Sequence, residues 1–211
     1  LRTFRKDRLA AIAIDETFIR LRPGAKAILH LIPDSSFEPG KRYDFGKEWQ
    51  LDFPPIGAEV NKRRITFEGV MTHLLDEDIG YTSEYTHVFR NGVLEAVVTF
   101  PPSRNNEKLI FPDRYEKELA ETLDKYKQSF KKFQIDLPVW VGLSLIGVRD
   151  YKMRVIDSWA EGNPVDRDEL IVPEIMMESY EQEAEEILRQ AFEELRNAWG
   201  FERPRNFKPQ G

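Results

Sequence analysis

The stretch "SEYTHVFRNGVLEAVVTF" (residues 83–100) carries the strongest local pattern in the chain. Two runs of β-branched and aromatic residues flank Asn91-Gly92, the dipeptide favoured in the two-residue type I′ turn of a β-hairpin. This turn would pair Arg90 with Val93, Phe89 with Leu94, His87 with Ala96 and Tyr85 with Val98. The last three pairs share an apolar face, which we expect to be core. The face that carries Glu84 and Glu95 is expected to lie nearer to water.

Four further segments read as strands. "AKAILHLIP" (25–33) is apolar on both faces, so we expect it to be covered on both sides. "RRITFEGVMTHLL" (63–75) alternates like a half-buried strand, and "VWVGLSLIGV" (139–148) reads as the most buried strand. "ELIVPEIMM" (169–177) contains Pro173, which cannot donate to a ladder and therefore predicts an edge or a bulge.

Three segments have helical spacing of their apolar residues. Residues 4–14 predict a short helix and residues 112–133 a long amphipathic one. Ser179 and Gln182 have the spacing of a capping box, and Gly200 is placed as a C-terminal cap, so a second long helix is expected between them.

The order of these elements predicts an α+β fold. We expect a mostly antiparallel sheet of about five to six strands, two long helices packed on one face, and a short N-terminal helix. Residues 34–61 read as a long surface loop and residues 201–211 as an irregular tail. Without repeats or a Gly/Ser linker, residues 1–211 are expected to form one domain.

Composition limits the class of protein. The 211 residues include no cysteine, which excludes disulfides and thiolate metal sites. No apolar run reaches the length of a membrane span, so we expect no membrane contact and a cytoplasmic location. The net charge of −6 is unevenly distributed, because residues 1–64 carry +4 and residues 161–200 carry −9. This asymmetry favours a protein partner or self-association, although solvation of acidic helices is the simpler interpretation.

The three histidines, His30, His73 and His87, each fall on a predicted strand. Three histidines are the ligand set of many catalytic zinc sites. Their spacing matches no metal motif, however, and no acidic partner is apparent for their second nitrogens. We therefore predict structural histidines and no cofactor, with a metal or acid/base site as the alternative.

Asp136 precedes a predicted strand, and Asp150 and Lys152 follow it as D-x-K. A carboxylate and a D-x-K on neighbouring strands are typical of a class of nucleases that hold Mg²⁺ and orient the attacking water with the lysine. The motif is short, and the apolar run between its parts is equally typical of a buried strand leaving the core.

Two other binding surfaces are possible. Clustered basic residues could contact phosphates if they lie together, although the acidic chain argues against nucleic acid as the main partner and solvated faces are the simpler interpretation. These residues are Arg2, Arg5, Lys6, Arg8, Lys62, Arg63 and Arg64. A small-ligand pocket would instead lie over Tyr85, His87 and Phe89, on the expected inner face of the hairpin.

Six segments in order carry a family resemblance. They are "FRKDRLAAI" (4–12), "PGAKAILHLIP" (23–33), "FRNGVLEAV" (89–97), "GVRDYKM" (147–153), "DRDELIVPEIMME" (166–178) and "AFEELRNAWGF" (191–201). Together they resemble the C-terminal region of bacterial proteins with an N-terminal Schlafen-type AlbA_2 DNA-binding domain. The resemblance implies that Leu1 follows a nucleic-acid-binding module absent from this chain, and that the present part serves sensing, assembly or regulation. It supplies no catalytic residue.

The sequence therefore predicts a non-catalytic regulatory or interaction domain that accompanies a nucleic-acid-binding module. A metal-dependent hydrolase, in particular a nuclease, and a small-ligand sensor are the two alternatives.

Overall fold

The computed structural model describes residues 1–45, 53–60, 62–76, 80–156 and 160–201. The helices are α1 (Arg2–Ala13), α2 (Pro112–Lys132) and α3 (Ala184–Ala198), with a short 3-10 helix at Asp34–Phe37. The strands are β1 (Ala25–Pro33), β2 (Lys62–Ile65), β3 (Gly69–Asp76), β4 (Tyr81–Phe89), β5 (Leu94–Phe100), β6 (Leu109–Ile110), β7 (Val139–Ile146), β8 (Lys152–Met153), β9 (Glu169–Ile171) and β10 (Ile175–Met177). The predicted α+β class is confirmed.

The main sheet has eight strands in the order β10-β7-β1-β5-β4-β3-β2, with β9 also paired to β7, and every pairing is antiparallel. β6 and β8 form a small parallel sheet. The strand count exceeds the prediction because two predicted strands are each divided. Residues 63–75 turn at Thr66, whose hydroxyl accepts a hydrogen bond from Gly69 N at 2.9 Å. The predicted strand 169–177 is interrupted around Pro173 and divides into β9 and β10. Both lie at the edge of the sheet, as expected for a segment that contains a proline.

Helices cover both faces of the sheet. The larger core cluster joins α2 and α3 to one face through residues such as Leu123, Leu188 and Leu29. The smaller cluster joins α1 to the other face through Leu9, Ile12 and residues that include Ile28, Tyr85 and Val97. The sheet is thus the middle of three layers, and α1 covers the face opposite the long helices.

The hairpin turn differs from the predicted type I′ turn. Gly92 has φ of +90°, but Asn91 keeps a negative φ, and Gly92 N donates to Phe89 O at 2.9 Å. This is the geometry of a type I turn followed by a left-handed glycine, which places three residues in the loop. The longer loop shifts the register by one residue, so Glu84 lies opposite Val98 and His87 opposite Glu95.

The shifted register corrects the predicted faces. Tyr85 and His87 share a face with Glu95, while Glu84 shares the other face with Val98. The expectation that one face lies nearer to water is wrong, because α1 covers it: Glu95 has no exposed surface.

The loop and end signals have mixed outcomes. Residues 34–61 are not simply a surface loop, because Phe53 and Ile56 enter the core. Gly200, at φ +80°, follows α3 as predicted. Gln182 Oε1 accepts from Ser179 N at 3.2 Å, but α3 begins later, at Ala184. The predicted irregular tail lies outside the described residues beyond 201. No helix in the described ranges is both long and apolar enough to cross a bilayer.

Candidate functional site

The three histidines lie on the face of the sheet beneath α1 but do not assemble. His30 on β1 and His87 on β4 flank Glu95 on β5, whereas His73 on β3 lies opposite Tyr85. His30 Nε2 is 3.1 Å from Glu95, and His87 Nε2 is 3.0 Å from Thr66 Oγ1. Within the described ranges, no group of three His, Asp or Glu side chains could hold a metal ion. The predicted alternative of a three-histidine zinc site is therefore wrong for this arrangement.

Glu95 is the centre of a buried polar network. Arg8 donates two hydrogen bonds of 2.8 Å to its carboxylate, and Tyr85 OH donates one of 2.7 Å. Burial alone would raise the pKa of Glu95, but hydrogen bonds from Arg8 and His30 outweigh it and hold the pKa below its ordinary value. The network therefore joins α1 to the sheet through an ion pair between Arg8 and Glu95.

Arg5 makes a second anchor for α1. Its guanidinium donates to Leu143 O and Ser144 Oγ at 2.7 Å each, and to Val172 O at 2.9 Å. It also contacts Glu174 at 3.0 Å.

The proposed basic surface is accordingly divided. Arg5 is buried, and Arg8 is partly buried with its guanidinium bonded to Glu95, so the expectation that these two side chains contact phosphates does not fit the structure. Arg2 and Lys6 remain exposed on α1, and Lys62, Arg63 and Arg64 are exposed on the edge strand β2.

The nuclease-like residues are separated by the length of a strand. Asp136 precedes β7 and accepts hydrogen bonds from Ser35, Lys41 and Tyr43, whereas Asp150 follows β7. An eight-residue strand spans roughly 26 Å, so the two carboxylates cannot share a magnesium ion. Lys152 is paired with Glu161 at 2.7 Å. The geometry therefore contradicts the alternative of a nuclease site formed by Asp136, Asp150 and Lys152.

The expected ligand surface over Tyr85, His87 and Phe89 is filled. Tyr85 and His87 have no exposed surface. The ring of Phe18 lies 4.3 Å from that of His87, and the ring of Phe4 lies 5.5 Å from that of Phe89. Aromatic side chains of α1 and the segment after it thus occupy the place where a ligand would bind.

An open cleft of about 390 Å³ lies on the other face of the sheet, at the start of α2. The ends of β4 and β5, the segment at residues 56–57, β6 and the first two turns of α2 surround it. Its lining residues are Ile56, Gly57, Ser83, Glu84, Val98, Thr99, Phe100, Pro101, Leu109, Phe111, Arg114, Tyr115 and Glu118. The cleft combines apolar walls with a few charged groups, as small-molecule sites do.

Glu84 is the most perturbed acid of the cleft. Burial, and then the charge of Glu118, raise its pKa to about 7, while Arg22 and Arg114 act in the opposite direction. Only 8% of Glu84 is exposed, so its carboxyl is desolvated yet borders the cleft. A charged ligand in the cleft would therefore change the protonation of this carboxyl near neutral pH.

Glu118 is fixed in place from two sides. Arg114 Nε donates to it at 2.8 Å, and this bond and charge raise the pKa of Arg114. A methyl group on Gly57 would lie 2.6 Å from Cδ of Glu118, so the carboxylate packs directly on the backbone. Gly57 also has φ of +68°, where a side chain would be strained. The second carboxylate of the cleft is therefore positioned before any ligand arrives.

Sequence reasoning missed this cleft. Arg114 and Glu118 have a visible i,i+4 spacing, but Glu84 was expected on the more polar face of the hairpin because of the one-residue register error. No local pattern brings β4, residues 56–57 and α2 together. The sequence shows only a glutamate within a run of β-branched and aromatic residues, and glutamates are common on protein surfaces.

Fold and site define an α+β domain with helices on both faces of its sheet and a two-carboxylate cleft at the start of α2. No family model matches the chain, and neither a curated protein nor a solved structure matches it. The resemblance to the C-terminal region of AlbA_2 proteins stays a prediction.

Proposed function

We propose that this chain is a non-catalytic regulatory domain that binds a small ligand in the cleft over Glu84. The observation that carries the proposal is the contrast between two sets of ionisable groups. Glu95 and Arg5 are buried, Arg8 is partly buried, and all three are hydrogen-bonded within the chain, which suits a structural role. Glu84 instead borders an open, partly apolar cleft with its pKa raised by burial.

The position of the cleft suits regulation. It is bounded by the first turns of α2, by the hairpin strands and by the segment at residues 56–57. A ligand that bridges these three parts of the chain would stabilise their relative positions. The resemblance to AlbA_2 proteins would place such a domain beside a nucleic-acid-binding module and would make that module, or another protein, the receiver of the signal.

A thermal-shift screen tests the proposal. Cationic, anionic and neutral metabolite-sized compounds would be tested on the wild type, on Val98→Phe, which narrows the cleft, and on Lys117→Phe, an exposed position of α2 outside the cleft lining. We expect at least one compound to raise the Tm of the wild type and of Lys117→Phe but not of Val98→Phe, with circular dichroism confirming that all three fold.

Two results would contradict a binding role for the cleft. One is that no compound stabilises the wild type. The other is that every stabilising compound acts equally on Val98→Phe, which would place its binding elsewhere.

A further inference from the structure

We propose that the ligand of this cleft is an organic cation, a protonated amine on an apolar or aromatic body, with its ammonium group held between Glu84 and Glu118. The inference rests on the proposed function and specifies the chemical class of the ligand. The position of the two carboxylates, the placement of the two nearby arginines and the composition of the walls carry this inference.

Among the described residues, two carboxylates, Glu84 and Glu118, line the cleft beside one basic residue, Arg114. Arg22 also acts on Glu84 through its charge, but it is not a lining residue of the cleft. Glu118 opposes ionisation of Glu84, which is already desolvated. An ammonium ion placed between the two groups would turn their mutual repulsion into two attractive contacts. An anionic ligand would meet the same two groups and add to the repulsion.

Arg114 cannot fully take this role. Its side chain is 74% exposed, so it lies at the mouth of the cleft and in contact with water. It donates to Oε1 of Glu118, whereas it acts on Glu84 through its charge alone. A carboxylate offers about four acceptor sites, so Glu118 can bind an ammonium ion while it keeps its bond to Arg114.

The backbone at Gly57 holds Glu118 ready for this contact. A methyl group there would lie 2.7 Å from Oε2 of Glu118 as well as against Cδ. The absence of a side chain at this position therefore lets the carboxylate settle against residues 56–57, where it lines the cleft. Ordering the carboxylate of Glu118 before binding lowers the entropy cost of capturing the ligand.

The apolar walls specify the rest of the ligand. Phe100 and Tyr115 pack edge to face with ring centroids 5.6 Å apart, and Phe111 is 37% exposed at the cleft. Val98 and Pro101 complete an apolar side. A flat or branched hydrocarbon body would cover these groups while its amine reaches the carboxylates.

A matched set of three probes tests the inference by isothermal titration calorimetry. 2-Phenylethylammonium, 2-phenylethanol and 3-phenylpropionate share a phenyl ring and differ in charge. We expect the ammonium compound to bind the wild type most tightly. We expect Glu84→Gln and Glu118→Gln each to weaken it roughly tenfold or more, as the loss of a charge-assisted contact does. Lys117→Gln, on the same helix but outside the cleft, is the matched control and should bind as the wild type does.

The outcomes separate the two proposals. If 2-phenylethanol or 3-phenylpropionate binds as tightly as the ammonium compound, and Val98→Phe abolishes that binding, the cleft binds ligands but its preference for cations is refuted. If the ammonium compound binds equally well to Glu84→Gln and Glu118→Gln, or binds no variant and not the wild type, the cation inference fails whatever the wider screen finds. Circular dichroism and the Tm of each variant show whether it is folded.

Gly57→Ala displaces the carboxylate of Glu118 without removing its charge, so it should also weaken binding of the ammonium compound.

Discussion

The guanidinium of Arg8 and the carboxylate of Glu95 form a two-bond ion pair beneath α1, with both hydrogen bonds at 2.8 Å. Glu95 has no exposed surface, and Tyr85 and His30 supply its remaining contacts. The pair joins residues 87 positions apart in sequence, so it links the first helix to the central hairpin.

Removal of one partner from this pair should be costly. Arg8→Met leaves the charge of Glu95 buried without its main partner, and we expect a loss of about 3–5 kcal/mol in the free energy of unfolding, measured by urea denaturation. Lys6→Met, at an exposed position of the same helix, should change stability by less than about 0.5 kcal/mol. Equal effects from the two substitutions would contradict the anchoring role of Arg8.

The raised pKa of Glu84 predicts a loss of stability as pH rises. The folded carboxyl titrates at about 7, above its ordinary value of 4.5, so the folded state binds more protons than the unfolded state between these values. Its stabilising contribution is complete below pH 4.5 and is lost as pH rises through 7, by up to about 3 kcal/mol. Glu84→Gln should remove this decline in unfolding free energies measured from pH 5 to 8.

The surroundings of Glu84 supply the control for that experiment. Among the described residues, Glu118, Arg22 and Arg114 are charged groups that act on it. Glu118→Gln should reduce the decline in part, because burial is the larger cause of the shift. A wild type and a Glu84→Gln variant with parallel pH profiles would refute the assigned pKa.

The lowered pKa of His87 predicts the opposite effect, a loss of stability as pH falls. Burial, with a smaller effect from Arg8, lowers its pKa to about 4, although Glu95 and Glu68 act to raise it. Because the unfolded histidine takes up its proton first, stability is present above pH 6.5 and falls as pH drops toward 4, by up to about 3 kcal/mol. His87→Gln should flatten the unfolding free energy over this window. Glu95 loses its contribution to stability only below pH 4.5, so the effects of the two residues can be separated. An unchanged slope between pH 6.5 and 4.5 in His87→Gln would exclude this histidine as the cause of the decline.

The hairpin turn can be distinguished from a type I′ turn by two alanine substitutions. Gly92 has φ of +90°, and a methyl group there would lie 2.7 Å from the ring of Tyr43, so Gly92→Ala should cost about 1–2 kcal/mol. Asn91 has a negative φ, so Asn91→Ala should cost less than about 1 kcal/mol, mainly for its 3.3 Å bond from Val93 N. A type I′ turn would place both residues at positive φ, and comparable losses for both variants in chemical denaturation would favour it.

Periodicity predicted the helices well because it reports a local property. The stripe that includes Leu119, Leu123, Tyr126 and Phe130 on α2 is buried as expected. The α+β class followed from the order of such elements. Candidate sites were predicted poorly, since Asp136 and Asp150 are close in the chain but lie at opposite ends of a strand.

A single residue of register explains much of the difference for the hairpin. Type I′ turns and type I turns with a following glycine both use Asn-Gly, and they differ by one residue in the loop. Because side chains alternate along a strand, this residue decides whether Glu84 or Tyr85 faces the long helices.

The sequence by itself determined approximately where the three helices and the longer strands form, because turn chemistry and the spacing of apolar residues act over a few neighbouring positions. The tertiary structure alone decided that α1 would cover the second face of the sheet, that Arg8 would reach Glu95, and that Glu84 and Glu118 would border one cleft. Burial and charge pairing are set by contacts between distant segments, and no local pattern encodes which segments meet.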